Sequence, residues 1–188
     1  MKLLVGLGNP GKEFENTPHN AGFLAIDVIA QTIRKRGYAV EEWKYASREG
    51  AEIAEVYSTQ GERFAVLVKP QTYMNLSGSA VQKIMRKYGV KDQRNVLIIY
   101  DELDIELGKY KYSPLKNSRT HKGIASVLAS VGTQVQSLRI GVDNRGPVRK
   151  IPGETYVLKK YSVKEQEVLH ATIAEAIPDV LAQFAGLV

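Results

Sequence analysis

The stretch "VGLGNPG", Val5 to Gly11, follows directly on the apolar pair Leu3 and Leu4. Read literally it is G-x-G-x-x-G behind a short buried strand, the spacing of a dinucleotide-binding α/β fold. That fold needs its third glycine to open a helix, so that a pyrophosphate sits on the helix N-terminus, with an acid about 20 residues further on for the ribose. Here Gly11 is followed by "KEFENTPHN", polar, broken by Pro18 and without helical periodicity until Ala21. The helix begins about ten residues too late. Glu41 and Glu42 are poor candidates for the ribose acid, and the glycines call for another explanation.

Outward from this stretch, Leu3 to Gly6 reads as a strand and Ala21 to Arg36 as a helix with Leu24, Ala25, Val28 and Ile29 on one face. Glu52 to Tyr57 and Arg63 to Val68 flank a turn at Gln60-Gly61 and predict a hairpin. A helix follows over Ser77 to Tyr88, with Asn75 or Ser77 as its cap and Gly89 just past its end. "NVLIIYDELD", Asn95 to Asp104, carries the strongest strand signal, five apolar or aromatic residues backed by acids. It predicts a central strand. A short strand near Lys109 to Tyr112, a helix over Gly123 to Val131 and a strand at Leu138 to Val142 come next. The last helix starts at Ser162 with a capping box to Glu165, and Pro178 is expected to kink or restart it. Asn144 to Glu154, rich in glycine, proline and basic residues, reads as a surface loop. Alternating strands and helices predict an α/β fold, a single domain over 1–188 with a mixed central β-sheet flanked by helices.

The 188 residues are 44% hydrophobic, enough to bury one core. No run is apolar enough for a signal peptide or a membrane span, so a cytoplasmic protein is expected. The absence of cysteine excludes disulfides, thiolate nucleophiles and thiolate metal sites. A formal charge of +6 fits a polyanionic partner equally with a merely soluble basic enzyme.

Asn9 stands at the end of a buried strand, where α/β proteins build their sites. His19, between Pro18 and Asn20 at a helix start, is a candidate general base; a solvent-facing histidine is the plainer alternative. Asp101, at the C-terminal end of the best strand, could fix the tautomer of an imidazole and stabilise it once protonated. A solvated acidic strand end with Glu102 and Asp104 is its alternative, and no ligand spacing accompanies these acids to suggest a metal. "TYMNLSG", Thr72 to Gly78, places Tyr73 and Met74 beside the amide of Asn75, either a helix cap beside two core residues or a substrate wall with one polar handle.

Taken in order, "VGLGNPG", "HNAGF", "KPQTYMNLSG", "DELD", "HKG", "LRIG" and "YVLKKYS" resemble the bacterial-type peptidyl-tRNA hydrolases over essentially the whole chain. The resemblance implies hydrolysis of the ester between a peptide and the 3′ end of a tRNA, on one α/β domain and without metal or cofactor, by a monomeric enzyme. It implies His19 as catalytic histidine, Asp101 as its orienting aspartate, and Asn9 and Asn75 as amides holding substrate and water. Phe14, Asn20, Tyr73, Met74 and His121 match substrate-side positions, and Lys111 and Arg139 match residues that grip tRNA phosphates. The chain departs from the family pattern in "NSRTHKG", Asn117 to Gly123, where Lys122 replaces an asparagine thought to help hold the attacking water. Lysine donates hydrogen bonds but cannot accept them, and its charge near His19 would lower the imidazole pKa. Pro18 and Phe14 replace the usual arginine and a frequent tyrosine. With Lys116 and Arg119, Lys122 makes this loop basic, so a catalytically weak tRNA-binding relative is the alternative function.

Overall fold

A computed structural model describes residues 1–116 and 121–185. Its sheet comprises β1 (Lys2–Gly6), β2 (Ala39–Val40), β3 (Lys44–Ala46), β4 (Ala51–Tyr57), β5 (Arg63–Pro70), β6 (Val96–Glu106), β7 (Tyr110–Pro114) and β8 (Gln136–Asp143). The order is β2-β4-β5-β1-β6-β8-β7, with β3 also paired to β4. β5, β1, β6 and β8 run parallel, β4 and β7 flank them in the opposite direction, and β2 and β3 pair antiparallel to β4. The mixed sheet and the hairpin are as the sequence leads one to expect, and "NVLIIYDELD" lies centrally between β1 and β8. The short β2 and β3, with no alternating apolar pattern, escape a sequence reading.

Helices α1 (Ala21–Lys35) and α5 (Val163–Val180) cover one face, and α2 (Ser77–Lys87) and α3 (Lys122–Ser130) the other; α4 (Gly153–Tyr156) is a single turn. Strand alternation divides the core accordingly. Leu4, Leu67, Leu97 and Ile99 pack with Ile26, Ile29, Ile173 and Ile177. Leu3, Val5, Val66, Val68 and Ile98 pack with Val81, Ile84, Ile124 and Val127. Each set is removed from water almost completely, which supplies the main drive for the fold.

The glycines of the opening motif are explained by this packing. A Cβ on Gly6 would lie 2.2 Å from the carbonyl oxygen of Gly22 on α1, and one on Gly22 would lie 2.3 Å from the carbonyl oxygen of Ile99. A Cβ on Gly8 would strike the Phe23 ring at 2.7 Å. The glycines therefore admit α1 against β1 and β6 and form no phosphate cradle, because α1 starts only after the turns at Lys12–Phe14 and Pro18–Asn20.

Three local expectations are corrected. Neither Asn75 nor Ser77 caps α2: a 3₁₀ turn over Met74–Leu76 runs straight into it, leaving Leu76 at the cap position with no side-chain bond. Pro178 does not restart α5, which runs on to Val180 before a π-type turn at Leu181–Ala185. So close to the helix end, the missing N–H removes only one late backbone bond. The Asn144–Glu154 loop ends earlier than expected, since Gly153 and Glu154 belong to α4. The Ser162–Glu165 capping box is present in both directions. Arg119 lies outside the described residues.

Candidate active site

The carboxyl ends of β1, β5 and β6 converge with the Pro18–Asn20 turn, the position at which open α/β sheets gather ligands. Asp101 is carried there by β6, opposite Ile140 of β8, and is only 1% exposed. His19 is held above it by two devices. Pro18 starts the 3₁₀ turn with its φ already suited to helix, and the His19 backbone N–H donates to the Val157 carbonyl at 2.9 Å. The neighbouring Tyr161 N–H donates to the Asn16 carbonyl, so the whole loop before α1 is stitched to the segment before α5.

One oxygen of Asp101 meets two imidazoles. His19 Nδ1 and His121 Nε2 each lie 2.9 Å from Oδ1, and the two rings are 4.9 Å apart. The Ile124 N–H donates to His121 Nδ1, which caps α3 and assigns the His121 proton to Nε2. His121 therefore donates to Asp101. Burial alone would raise the Asp101 pKa, but the charges and hydrogen bonds of the two histidines hold the carboxyl well below its ordinary range. An ionised Asp101 accepts from His19 Nδ1, which leaves the lone pair on Nε2. Burial disfavours protonation of His19, yet the charge and hydrogen bond of Asp101 outweigh it, and also outweigh Lys122, so the pKa is raised. The ring is 13% exposed and faces a cavity of about 570 Å³.

His19, Asp101 and His121 could offer three ligand atoms within 4.8 Å of one another. Both facing ring nitrogens are, however, engaged on Asp101, and the remaining nitrogen of His121 accepts from Ile124. A cation there would have to displace both protons, and the set suits a hydrogen-bonded relay better than a metal centre.

The other candidate residues divide by position. Asn9 is buried: its Oδ1 accepts from the Met74 N–H at 2.9 Å, and its side-chain NH₂ has no partner among the described residues. Asn20 is absorbed in positioning it, its Oδ1 accepting from the Asn9 N–H and its Nδ2 donating to the Asn9 carbonyl. Asn20 thus positions Asn9 through both ends of its side-chain amide. Met74 is buried and Tyr73 and Asn75 are exposed on the turn before α2. The contact between Met74 and α3 is so tight that a Cβ on Gly123 would lie 2.4 Å from its sulfur. Phe14 is half-buried in the Lys12–Phe14 turn, away from the cavity wall.

Lys122 opens α3 and lines the cavity beside His19 and His121. Lys111 and Arg139 are direct partners across β7 and β8, outside that cavity. Arg139 Nη2 donates to Ser113 Oγ, while its buried Nε has no partner among the described residues. Sequence reasoning missed the far wall, where Arg145 and Arg149 are held by Asp143 and join Glu154. Only the basic composition of the Asn144–Glu154 loop hinted at it.

Comparison with known proteins accords with this geometry. The family model for peptidyl-tRNA hydrolase matches residues 3–186. The peptidyl-tRNA hydrolase of Exiguobacterium sp. is 40% identical over 178 residues, covering 94% of this chain and 90% of the relative. That of Aquifex aeolicus is 36% identical over 179 residues, covering 94% and 86%. The crystal structure of peptidyl-tRNA hydrolase from Acinetobacter baumannii superposes with a TM-score of 0.82 at 29% identity, covering 97% of this chain and 89% of that one. A match of this extent, around a His–Asp pair at the carboxyl end of the sheet, places the chain in the peptidyl-tRNA hydrolase family.

Proposed function

We propose that the protein hydrolyses the ester joining a peptide, or an N-blocked aminoacyl group, to the 3′ end of a tRNA, with His19 as general base. The observation that carries the reading is the buried carboxylate of Asp101 on His19 Nδ1, which leaves Nε2 facing the cavity as an acceptor. Water attacking the ester carbonyl gives its proton to Nε2, and the ionised Asp101 stabilises the imidazolium that results. Collapse of the tetrahedral intermediate breaks the bond to the ribose oxygen, which takes a proton as it leaves. The NH₂ groups of Asn9 and Asn75 supply donors to the substrate carbonyl as charge develops on it. His121, donating to the same oxygen of Asp101, is a positioning residue that fixes the carboxylate.

Lys111, exposed on β7, is suited to backbone phosphates of the acceptor stem, with the partly exposed Arg139 beside it on β8. No described helix is long and apolar enough to cross a membrane, and the reading is of a monomer working in the cytoplasm. The replacement at Lys122 leaves the His19–Asp101 pair intact, which favours an active hydrolase over an inactive relative. The test is release of a labelled N-acetyl-aminoacyl group from tRNA by the wild type and by His19→Ala. Turnover that falls by about 10² to 10⁴ in the variant supports the assignment. An inert wild type refutes the activity, and an unimpaired variant refutes the base.

A further inference from the structure

Lys122 stands at the first position of α3, next to His121, whose ring is 4.9 Å from that of His19. Its side chain is exposed, lines the cavity into which His19 faces, and makes no hydrogen bond or ion pair among the described residues. A cation in the first turn of a helix opposes the helix dipole, so α3 itself has no use for the charge. Arg145 and Arg149 on the opposite wall are both tied to Asp143. Lys122 is the uncommitted cation of the cavity among the described residues.

We infer that Lys122 is a specificity-determining residue, selecting esters whose α-nitrogen is acylated and neutral over esters that carry a free α-ammonium. The inference rests on the activity proposed above. Attack at the ester carbonyl fixes the carbonyl carbon near His19 Nε2, and the α-nitrogen lies only two bonds away, about 2.5 Å by covalent geometry. Whatever charge that nitrogen carries is therefore confined beside the base and within the field of the Lys122 ammonium. Two unit charges of like sign about 7 Å apart, at an effective dielectric constant of about 30, differ from the neutral case by roughly tenfold in rate. A peptide N–H carries no net charge and escapes that penalty. Glu102, Asp104 and Glu154, which also line the cavity, act in the opposite sense. Asp101 and Lys122 are nonetheless the charges that act on His19, at the point where the ester must react, and Asp101 is already matched by its two imidazole donors.

The experiment compares kcat/KM for one aminoacyl-tRNA with and without an N-acetyl group, at slightly acid pH where the free amine is protonated. Wild type, Lys122→Gln and Lys122→Glu are assayed at low and high salt, with spontaneous deacylation subtracted. Any effect of Lys122 on the basicity of His19 acts on both substrates alike and cancels in their ratio. The expected result is a preference for the acetylated ester that falls by about tenfold in Lys122→Gln, further in Lys122→Glu, and converges at high salt as the charges are screened. A ratio that stays within about twofold across the three proteins, with the acetylated ester still cleaved, overturns the inference and leaves the activity standing. A wild type that cleaves neither ester overturns both.

Discussion

Replacing Asp101 with asparagine removes one charge and leaves the shape of the site almost unchanged, so its effect can be worked from the geometry. The carboxylate oxygen accepts two N–H donors at 2.9 Å, and the group is 1% exposed. When His19 takes the water proton, the imidazolium and the carboxylate lie about 4 Å apart between charge centres, an attraction of about 4 kcal/mol at an effective dielectric constant of 20. An amide oxygen facing the two rings would retain about 1 kcal/mol of this, as an ordinary hydrogen bond. The net loss of about 3 kcal/mol corresponds to about 10² in kcat/KM. If the amide turns its NH₂ toward the rings, His19 must present its Nδ1 lone pair and carry its proton on Nε2. No base then remains, and the loss approaches about 10⁴, as for other wrong-tautomer variants.

The same substitution must also move the pH profile, and its direction is fixed. A general base works while neutral, so activity is present above the His19 pKa and is lost as pH falls through it. Asp101 raises that pKa against burial and Lys122, both of which lower it. Without the carboxylate only the lowering influences remain, so the acid limb of kcat/KM must shift to lower pH even as the plateau falls. The assay is kcat/KM against pH on an N-acetyl-aminoacyl-tRNA, with NMR titration of the His19 ring as an independent reading. A depressed plateau with an unmoved or raised acid limb would refute the pairing of Asp101 with the working base.

Three further outcomes follow from the packing and the charge network. Gly6→Ala drives a Cβ into backbone 2.2 Å away, so α1 must move off β1; a loss of about 3 kcal/mol or more is expected in urea unfolding, and a loss below about 1 kcal/mol would contradict the close approach. Tyr161→Phe should raise stability by about 1 kcal/mol, because the tyrosine hydroxyl is buried with no partner among the described residues; a clear loss would show that the hydroxyl is bonded in solution. Burial disfavours the ionised Glu55, but bonds from Arg63, Tyr57 and Tyr88 hold its pKa down at about 2. Its contribution is complete above the ordinary value of 4.5 and is lost as pH falls toward 2, so the stability gap between wild type and Glu55→Gln should close over that window, and a constant gap would refute the network.

What could be read in the residues beforehand, and what could not, divides by the range of the interaction. The parallel core strands announce themselves by unbroken apolar runs, and the Ser162–Glu165 box by a three-residue spacing, because local chemistry decides both. His19 and Asp101 could be paired as residue types, but they are 82 positions apart, and only the sheet order brings them to 2.9 Å. His121 illustrates the limit more sharply. In the sequence it reads only as a substrate-side position beside the basic Lys122. In the fold its two nitrogens face different partners, one taking the Ile124 N–H as the cap of α3 and the other donating to Asp101. The missing cap at Asn75 has the same origin: the Met74 N–H is claimed by Asn9, 65 residues earlier, and the turn it fixes enters α2 directly. Asn9 and His121 thus each tie a helix start to the reacting centre. Tightening α2 or α3 by a conventional cap would break one of those ties, which is why the local rule for helix starts yields here to the site.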